Sequence, residues 1–583
     1  MLWWCTLALA LTPREPLPPA PTALPSVSAA SATVGPARLV VKLRDGQRAS
    51  AVPGTTLRPL VHHDVSALIA RAEERSGRAQ PDYGSLYEVV AAPGAMQGQA
   101  SALAGHEAVE VAWAAPGAVP PPKPTPKPSP GGDRNGTPEE SYLKLQRYHL
   151  ADHGVGSRDA WKLGFSGKGV RISDVEYGVN VRHEELPTPK IAREKGVVAV
   201  NPFSDHHDHG TAVMGIAIAQ PDRAGIRGIA YGAEGGIFPI NTEQHGLRVA
   251  DAILTACERS DVGDIVMLEM QTVAVDGYAP MEVDADVWMA TRTCVDAGIV
   301  VVAAAGNGSQ NLDGDGFDFW RQRGDSGAII VGAGQGARGS RSAEDFSNHG
   351  RRVDVHGWGS EVFTLGYGDH EMTDGDPNRS YTAVFGGTSS ATPMVAGVAA
   401  VVQEAAKSKL GRALSPAEMR TLLARTGRPH QGSKAIGPLP DTPAAIAGLR
   451  KVKGTPQPGK GKAGKGKSKS KSKSKSRKGA TKVAKQQGTR QARPAAAPEE
   501  ASWWELASGC GAAAPGCCCP SGGSVGRGAG SERTARRATE RPTMAVGAVR
   551  PGCAPAGRRG VRGSVGARVG AWPAGRLAPR RRA

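Results

Sequence analysis

From Arg38 onward the chain alternates short apolar runs with amphipathic stretches, and the period of each run separates strands from helices. Leu39-Val40-Val41-Lys42-Leu43 and Leu86-Tyr87-Glu88-Val89-Val90 are strand-like, while Val65 to Ala72 is helix-like. Together they predict a small α+β domain over residues 37–116. Farther along, buried β-branched runs such as Ile299-Val300-Val301-Val302 recur between helical stretches. That is the pattern of a parallel sheet covered by helices on both faces. Ala212 to Ala219 is apolar and small enough for a helix packed closely on another element. Ser415-Pro416-Ala417-Glu418 is a capping box with proline at the first helical position, opening a helix that Gly427 closes. This larger domain spans 139–449.

Composition divides the rest. At 583 residues the chain exceeds a typical single domain. Residues 1–36 begin with an apolar run, Leu2 to Leu11, with no basic residue before it, followed by proline-rich sequence. This is an imperfect signal peptide or a disordered end; the first reading points to a secreted, extracellular protein. Pro120-Pro121-Pro122-Lys123-Pro124 marks a Pro-rich linker over 117–138, an extended polyproline spacer. No further segment approaches the length that spans a bilayer, so no transmembrane segment is expected.

Charge separates the tail from the fold. Residues 450–495 hold 17 Lys or Arg and no acid, and residues 496–583 hold 14 basic against 5 acidic residues. Of the chain's formal +18, the tail therefore carries +26 and residues 1–449 carry −8. The Lys/Ser/Gly-rich 450–495 segment cannot bury apolar area and is expected to be disordered. Residues 496–583 are expected to be disordered too, or a mispredicted reading. Such a tail contacts polyanions through charge neutralisation, or is a solvated extension without a dedicated partner. Of eight cysteines only Cys257 and Cys294 fall within the larger domain. They form a disulfide or are two buried thiols.

The chemistry begins at Gly387-Thr388-Ser389-Ser390-Ala391-Thr392-Pro393, which sets a serine at a glycine-rich entrance to an apolar helix. Serine and threonine cap many helices without any chemistry. A nucleophilic serine also needs a base, and His209 supplies one at the head of the Ala212–Ala219 run. Asn307, just beyond the strand ending in Ala303-Ala304-Ala305-Gly306, offers an amide to an oxyanion. These three segments, in this order, resemble the subtilisin-like serine proteases (subtilases, peptidase S8 family), over roughly residues 140 to 448. Ala160-Trp161, Gly167 to Val170 and Phe346-Ser347-Asn348-His349-Gly350 support the resemblance. It implies a subtilisin-like parallel sheet, Ser389 as nucleophile, His209 as general base, and Asn307 with the Ser389 backbone N–H as oxyanion donors. It also makes residues 37–116 propeptide-like.

The acid departs from the family pattern. Counting back from Gly178, His183 and Leu186 puts the usual aspartate position on Glu176, with Asp174 two residues earlier on the same face of the strand. Glu176 is the favoured acid and Asp174 the alternative; the plain reading of Asp174 is a solvated or salt-bridged structural residue. The expected substrate-binding strand, Asp264 to Gln271, ends in Glu269-Met270-Gln271 where the family has a small segment. Backbone pairing with an extended peptide survives that change, while the first specificity pocket differs.

Asp205-His206-His207-Asp208-His209 is dense in metal-ligand types, but adjacent residues on a turn seldom converge on one ion. Asp313-Gly314-Asp315-Gly316-Phe317-Asp318 lacks the full ligand series of a calcium loop. No cofactor is expected; the resemblance leaves room for structural calcium without locating it. The expectation is a monomeric serine endopeptidase acting on protein or peptide substrates through an acyl-enzyme. The alternative is a catalytically impaired homologue acting as a binding protein.

Overall fold

The computed structural model describes residues 12, 38–90, 96–119, 142–186, 191–200, 208–220 and 226–449. The apolar N-terminal run, the linker beyond Val119, the Asp205-His206-His207 stretch and the basic tail lie outside the described residues. The chain divides into two units, Met1–Lys462 and Ala463–Ala583, and every described residue belongs to the first.

Strands Arg38–Leu43 (β1), Leu57–Pro59 (β2), Leu86–Val89 (β3) and Val109–Ala115 (β4) form an antiparallel sheet in the order β2-β3-β1-β4, with helices Ser66–Ser76 (α1) and Met96–Ala104 (α2). Alternation along β1 gives this sheet two apolar faces. Leu39, Val41 and Leu43 join Tyr87, Leu103 and Val109 in one core, while Val40 joins Leu68, Trp113 and the helices of the larger domain in another.

The larger domain is built on seven parallel strands in the order β15-β14-β13-β10-β5-β7-β6. These are Arg171–Glu176 (β5), Ile191–Arg193 (β6), Glu234–Pro239 (β7), Ile265–Leu268 (β10), Val300–Ala304 (β13), Ile329–Gly334 (β14) and Val355–Trp358 (β15). Two hairpins interrupt the chain order, Asn241–Thr242 (β8) with Gly246–Leu247 (β9), and Gln271–Ala274 (β11) with Gly277–Pro280 (β12). A three-stranded antiparallel sheet of Val362–Leu365 (β16), Glu371–Met372 (β17) and Ser380–Phe385 (β18) completes the set.

Both faces of the parallel sheet are covered, so its strands read as continuous apolar runs. Ile172, Met267, Val300, Val302 and Val331 pack with helices Asp208–Ile218 (α4) and Thr388–Leu410 (α8). Val175, Val266, Leu268, Val301 and Ile330 face helices Val249–Glu258 (α5) and Ala285–Asp296 (α6). Ser157–Lys162 (α3), Asp318–Arg321 (α7), Pro416–Thr426 (α9) and Thr442–Gly448 (α10) flank this core. The capping box at Ser415 and Glu418 is formed. Inside α8, Gly397 permits close approach: a Cβ there would sit 2.7 Å from Cβ of Ile229.

Cys257 and Cys294 are joined as a disulfide that links α5 to α6, with both residues fully buried. The N-terminal domain docks on these two helices. Arg71 donates to the carbonyls of Cys257 (2.7 Å) and Ser260 (2.8 Å), and Tyr83 Oη meets Thr293 Oγ1 at 2.8 Å. Arg38 pairs with buried Asp286 at 3.2 Å. Burial opposes ionisation of Asp251, but donors from His62 and His63 and the charge of Arg248 outweigh it, holding its carboxyl well below the usual range.

Candidate active site

Ser389 is the second residue of α8, where the first-turn N–H groups have no intrahelical acceptor. Gly387 makes this start possible. Its φ of 89° lies in the left-handed region, and a Cβ there would come within 3.1 Å of Asn307 Nδ2. The two adjacent serines differ in their surroundings. Ser390 Oγ donates to the carbonyl of Trp358 at 2.7 Å, whereas no hydrogen bond among the described residues holds Ser389 Oγ. Pro393 has no N–H to offer the carbonyl of Ser389, four positions back.

Asn307 lies just past the end of β13, on the loop facing that helix start. Its Oδ1 accepts from Thr388 N at 2.9 Å and from Thr388 Oγ1 at 3.0 Å. With the carbonyl side of the amide occupied by two donors, Nδ2 is left as a donor directed away from Thr388. Asn348 fixes the loop from behind. Its Nδ2 donates to the carbonyls of Ala305 (2.7 Å) and Tyr278 (2.8 Å), and its Oδ1 accepts from Gln310 N at 2.8 Å. Sequence reading took Asn348 only as part of a resembling segment; its signal was an amide within Phe346 to Gly350, a residue type able to donate and accept at once.

His209 is the second residue of α4, whose later turns are wholly buried against α8. The helix is held to the segment after β5 by Asn180 N, which donates to Thr211 Oγ1 at 2.8 Å. Gly210 is required here, since a Cβ would lie 2.4 Å from the carbonyl oxygen of Gly178 and 2.8 Å from Cγ of Glu176. The imidazole stands edge-on to Phe385, centroids 5.6 Å apart, and Phe385 is four residues before Ser389. His209 Nδ1 pairs with Glu176 Oε2, and Glu176 Oε1 accepts from Tyr177 N at 2.7 Å. His209 Nε2 is buried without a hydrogen-bond partner among the described residues.

Asp174 does not reach the imidazole, and it is neither solvated nor salt-bridged. It is fully buried, and neither of its oxygens has a donor among the described residues; the same holds for Glu269. Burial and the charge of Glu176 push the Asp174 carboxyl well above the usual range, and burial with Asp174 does the same to Glu269. Two carboxyls buried close to one another without other donors favour their protonated forms.

A peptide segment lies across the expected substrate strand. Val119 N donates to the carbonyl of Gln271 at 2.8 Å in an antiparallel bridge, and Tyr177 Oη donates to the carbonyl of Ala118 at 2.8 Å. These residues belong to the chain that continues from β4 of the N-terminal domain.

Among the described residues no group of three or more His, Cys, Asp or Glu is arranged to hold a metal ion. In the Asp313–Asp318 loop, Asp313 accepts from Arg351 N at 3.1 Å, and Asp318 pairs with Arg321. No helix of the described residues is long and apolar enough to cross a membrane.

Residues 167–438 match the family model described as Peptidase_S8, Subtilase family. The "Calcium-dependent protease" of Nostoc sp. (strain PCC 7120) is 29% identical over 298 residues, covering 44% of this chain and 43% of that protein. The "Extracellular basic protease" of Dichelobacter nodosus is 27% identical over 339 residues, covering 50% of this chain and 52% of that protein. The "Major intracellular serine protease" of Bacillus subtilis (strain 168) is 25% identical over 287 residues, covering 48% and 82%. The chain thus spans about half or less of the length of the first two of these relatives.

Proposed function

We propose, from the premise that residues 167–438 form a subtilase-family domain, that this protein is a serine endopeptidase whose N-terminal domain restrains it. The observation that carries the reading is the pairing of His209 with Glu176 together with Asn307 tied to Thr388, the residue before Ser389. Ser389 Oγ attacks the peptide carbonyl as His209 Nε2 takes its proton. Glu176 holds Nδ1–H, fixing the tautomer that leaves Nε2 free to accept, and stabilises the imidazolium. Asn307 Nδ2 and the Ser389 N–H receive the oxyanion. The imidazolium returns its proton to the leaving amine, and water then releases the acyl group by the same path in reverse.

Residues 37–116 act as a propeptide in this reading. The segment reaching Val119 lies where a substrate strand would pair, so the precursor occupies its own cleft. The Cys257–Cys294 disulfide, together with an extracellular relative, supports a location outside the reducing cytosol. Calcium enters through the name of the Nostoc relative alone, and no step here depends on it.

The test is labelling of the processed protein with a fluorophosphonate probe, beside Ser389→Ala. Labelling and peptidase activity are expected in the parent protein and neither in the variant. Activity that survives Ser389→Ala, or a processed parent that does not label, would refute the reading; the latter outcome favours a binding protein.

A further inference from the structure

We infer that Gln271 restricts the cleft to peptides with a small side chain, glycine, alanine or serine, on the residue whose carbonyl is attacked; the inference rests on the protease reading above. Residues 116–119 show how an extended peptide sits. Val119 pairs with the main chain of Gln271, Thr272 Oγ1 reaches the carbonyl of Pro116 at 3.4 Å, and Ala118 and Val119 are fully buried. Main-chain pairing of this kind is blind to sequence, so selectivity falls to the pockets beside it.

The side chain of Gln271 occupies such a place. Strands β10 and β13 are parallel neighbours with Leu268 opposite Ala303, so the loops that follow them, Glu269 to Gln271 and Ala305 to Asn307, leave the same end of the sheet side by side. In this inference a peptide laid along Gln271, with a carbonyl at Asn307 and Ser389, sends the adjoining side chain between these loops. The Gln271 amide joins them: its Oε1 accepts from Asn307 N at 2.9 Å.

The opposite wall cannot retreat. Gly306 is packed so closely that a Cβ would lie 3.0 Å from both the carbonyl carbon of Ala279 and Asn348 Nδ2. Gln271 is itself 2% exposed, and its Nε2 is buried without a hydrogen-bond acceptor among the described residues. An unpaired buried donor favours a substrate that brings an acceptor, which serine does at little volume. A bulky side chain must instead displace the Gln271 amide. That breaks the bond to Asn307 N and loosens the oxyanion donor, so such substrates lose kcat as well as affinity.

The experiment uses the processed enzyme, with active sites counted by fluorophosphonate titration, and two peptide substrates that differ only in alanine or phenylalanine before the scissile bond. The parent enzyme is expected to favour alanine in kcat/KM by at least about tenfold. Gln271→Gly, and independently Gln271→Ala, should shrink the ratio of alanine to phenylalanine by about tenfold or more per titrated site. Equal cleavage of both peptides by the parent, or an unchanged ratio in variants that still titrate, overturns the inference while the protease reading stands. Failure of the parent to titrate removes both.

Discussion

Glu176 meets His209 at Nδ1 from the last position of a central strand, with its other carboxylate oxygen held by the N–H of Tyr177. Both oxygens are therefore committed, and the imidazole is oriented by a carboxylate one methylene longer than aspartate. Glu176→Gln is expected to lower kcat/KM by about 10⁴-fold, because the amide favours the wrong tautomer and does not stabilise the cation. Glu176→Asp should also lose activity, by about 10²-fold, since the backbone is set for the longer side chain. Asp174→Asn leaves the partner of the imidazole in place, and its loss should be far smaller. Steady-state kinetics on a fluorogenic peptide ranks the three; an Asp174→Asn loss equal to that of Glu176→Gln would contradict the assignment.

Asn307→Ala should reduce kcat by about 10²- to 10³-fold with a much smaller change in KM, because the amide acts on charge that exists only in the transition state. Asn307→Asp should not restore the rate, as a carboxylate cannot donate there. A change confined to KM would instead make Asn307 a ground-state contact.

The buried Asp174 and Glu269 carboxyls give stability a definite pH slope. Their pKa values are raised in the native state, so above the ordinary carboxylate range, about pH 4, the native protein keeps a proton that the unfolded chain has released. That contribution is present at lower pH and is lost as pH rises toward the native pKa, by up to about 1.4 kcal/mol per pH unit. Glu269→Gln removes one of the two raised carboxyls and should flatten the slope. Denaturant unfolding of parent and variant at several pH values measures it, and parallel curves would exclude the raised pKa of Glu269.

The Cys257–Cys294 bond closes a sequence separation of 37 between two fully buried positions. Replacing both cysteines by serine should cost about 3 to 4 kcal/mol on the chain-entropy account, a fall in Tm of roughly 5 °C for a domain of this size. Calorimetry of the processed protein tests this. A reductant should shift the parent only where it also unfolds, since neither sulfur meets solvent in the native state.

The strands of the larger domain were legible because a sheet buried on both faces leaves continuous β-branched runs such as Val300 to Val302. The segments that carry Ser389, His209 and Asn307 were legible because Gly387, Gly210 and Gly306 stand where the chain packs closely, leaving short glycine-marked stretches. The sequence favours Glu176 over Asp174 as the partner of His209 only through a count from Gly178, since two residues on one face differ in depth, which sequence does not carry. The fate of Asp174 was misjudged for that reason, as charge suggests solvent or a salt bridge and the fold provides neither. Gln271 was seen as a departure, but its contact with Asn307 depends on two loops far apart in the chain.

Gly397 lies two turns beyond Ser389 on the same helix, about 12 Å along its axis, seated against Ile229. That seat sets how far the helix slides and rolls on its bed, and the hydroxyl at its tip moves with it. Even one added methyl at that depth would tilt the whole rod, so the aim of the Ser389 hydroxyl is calibrated by a residue two turns away.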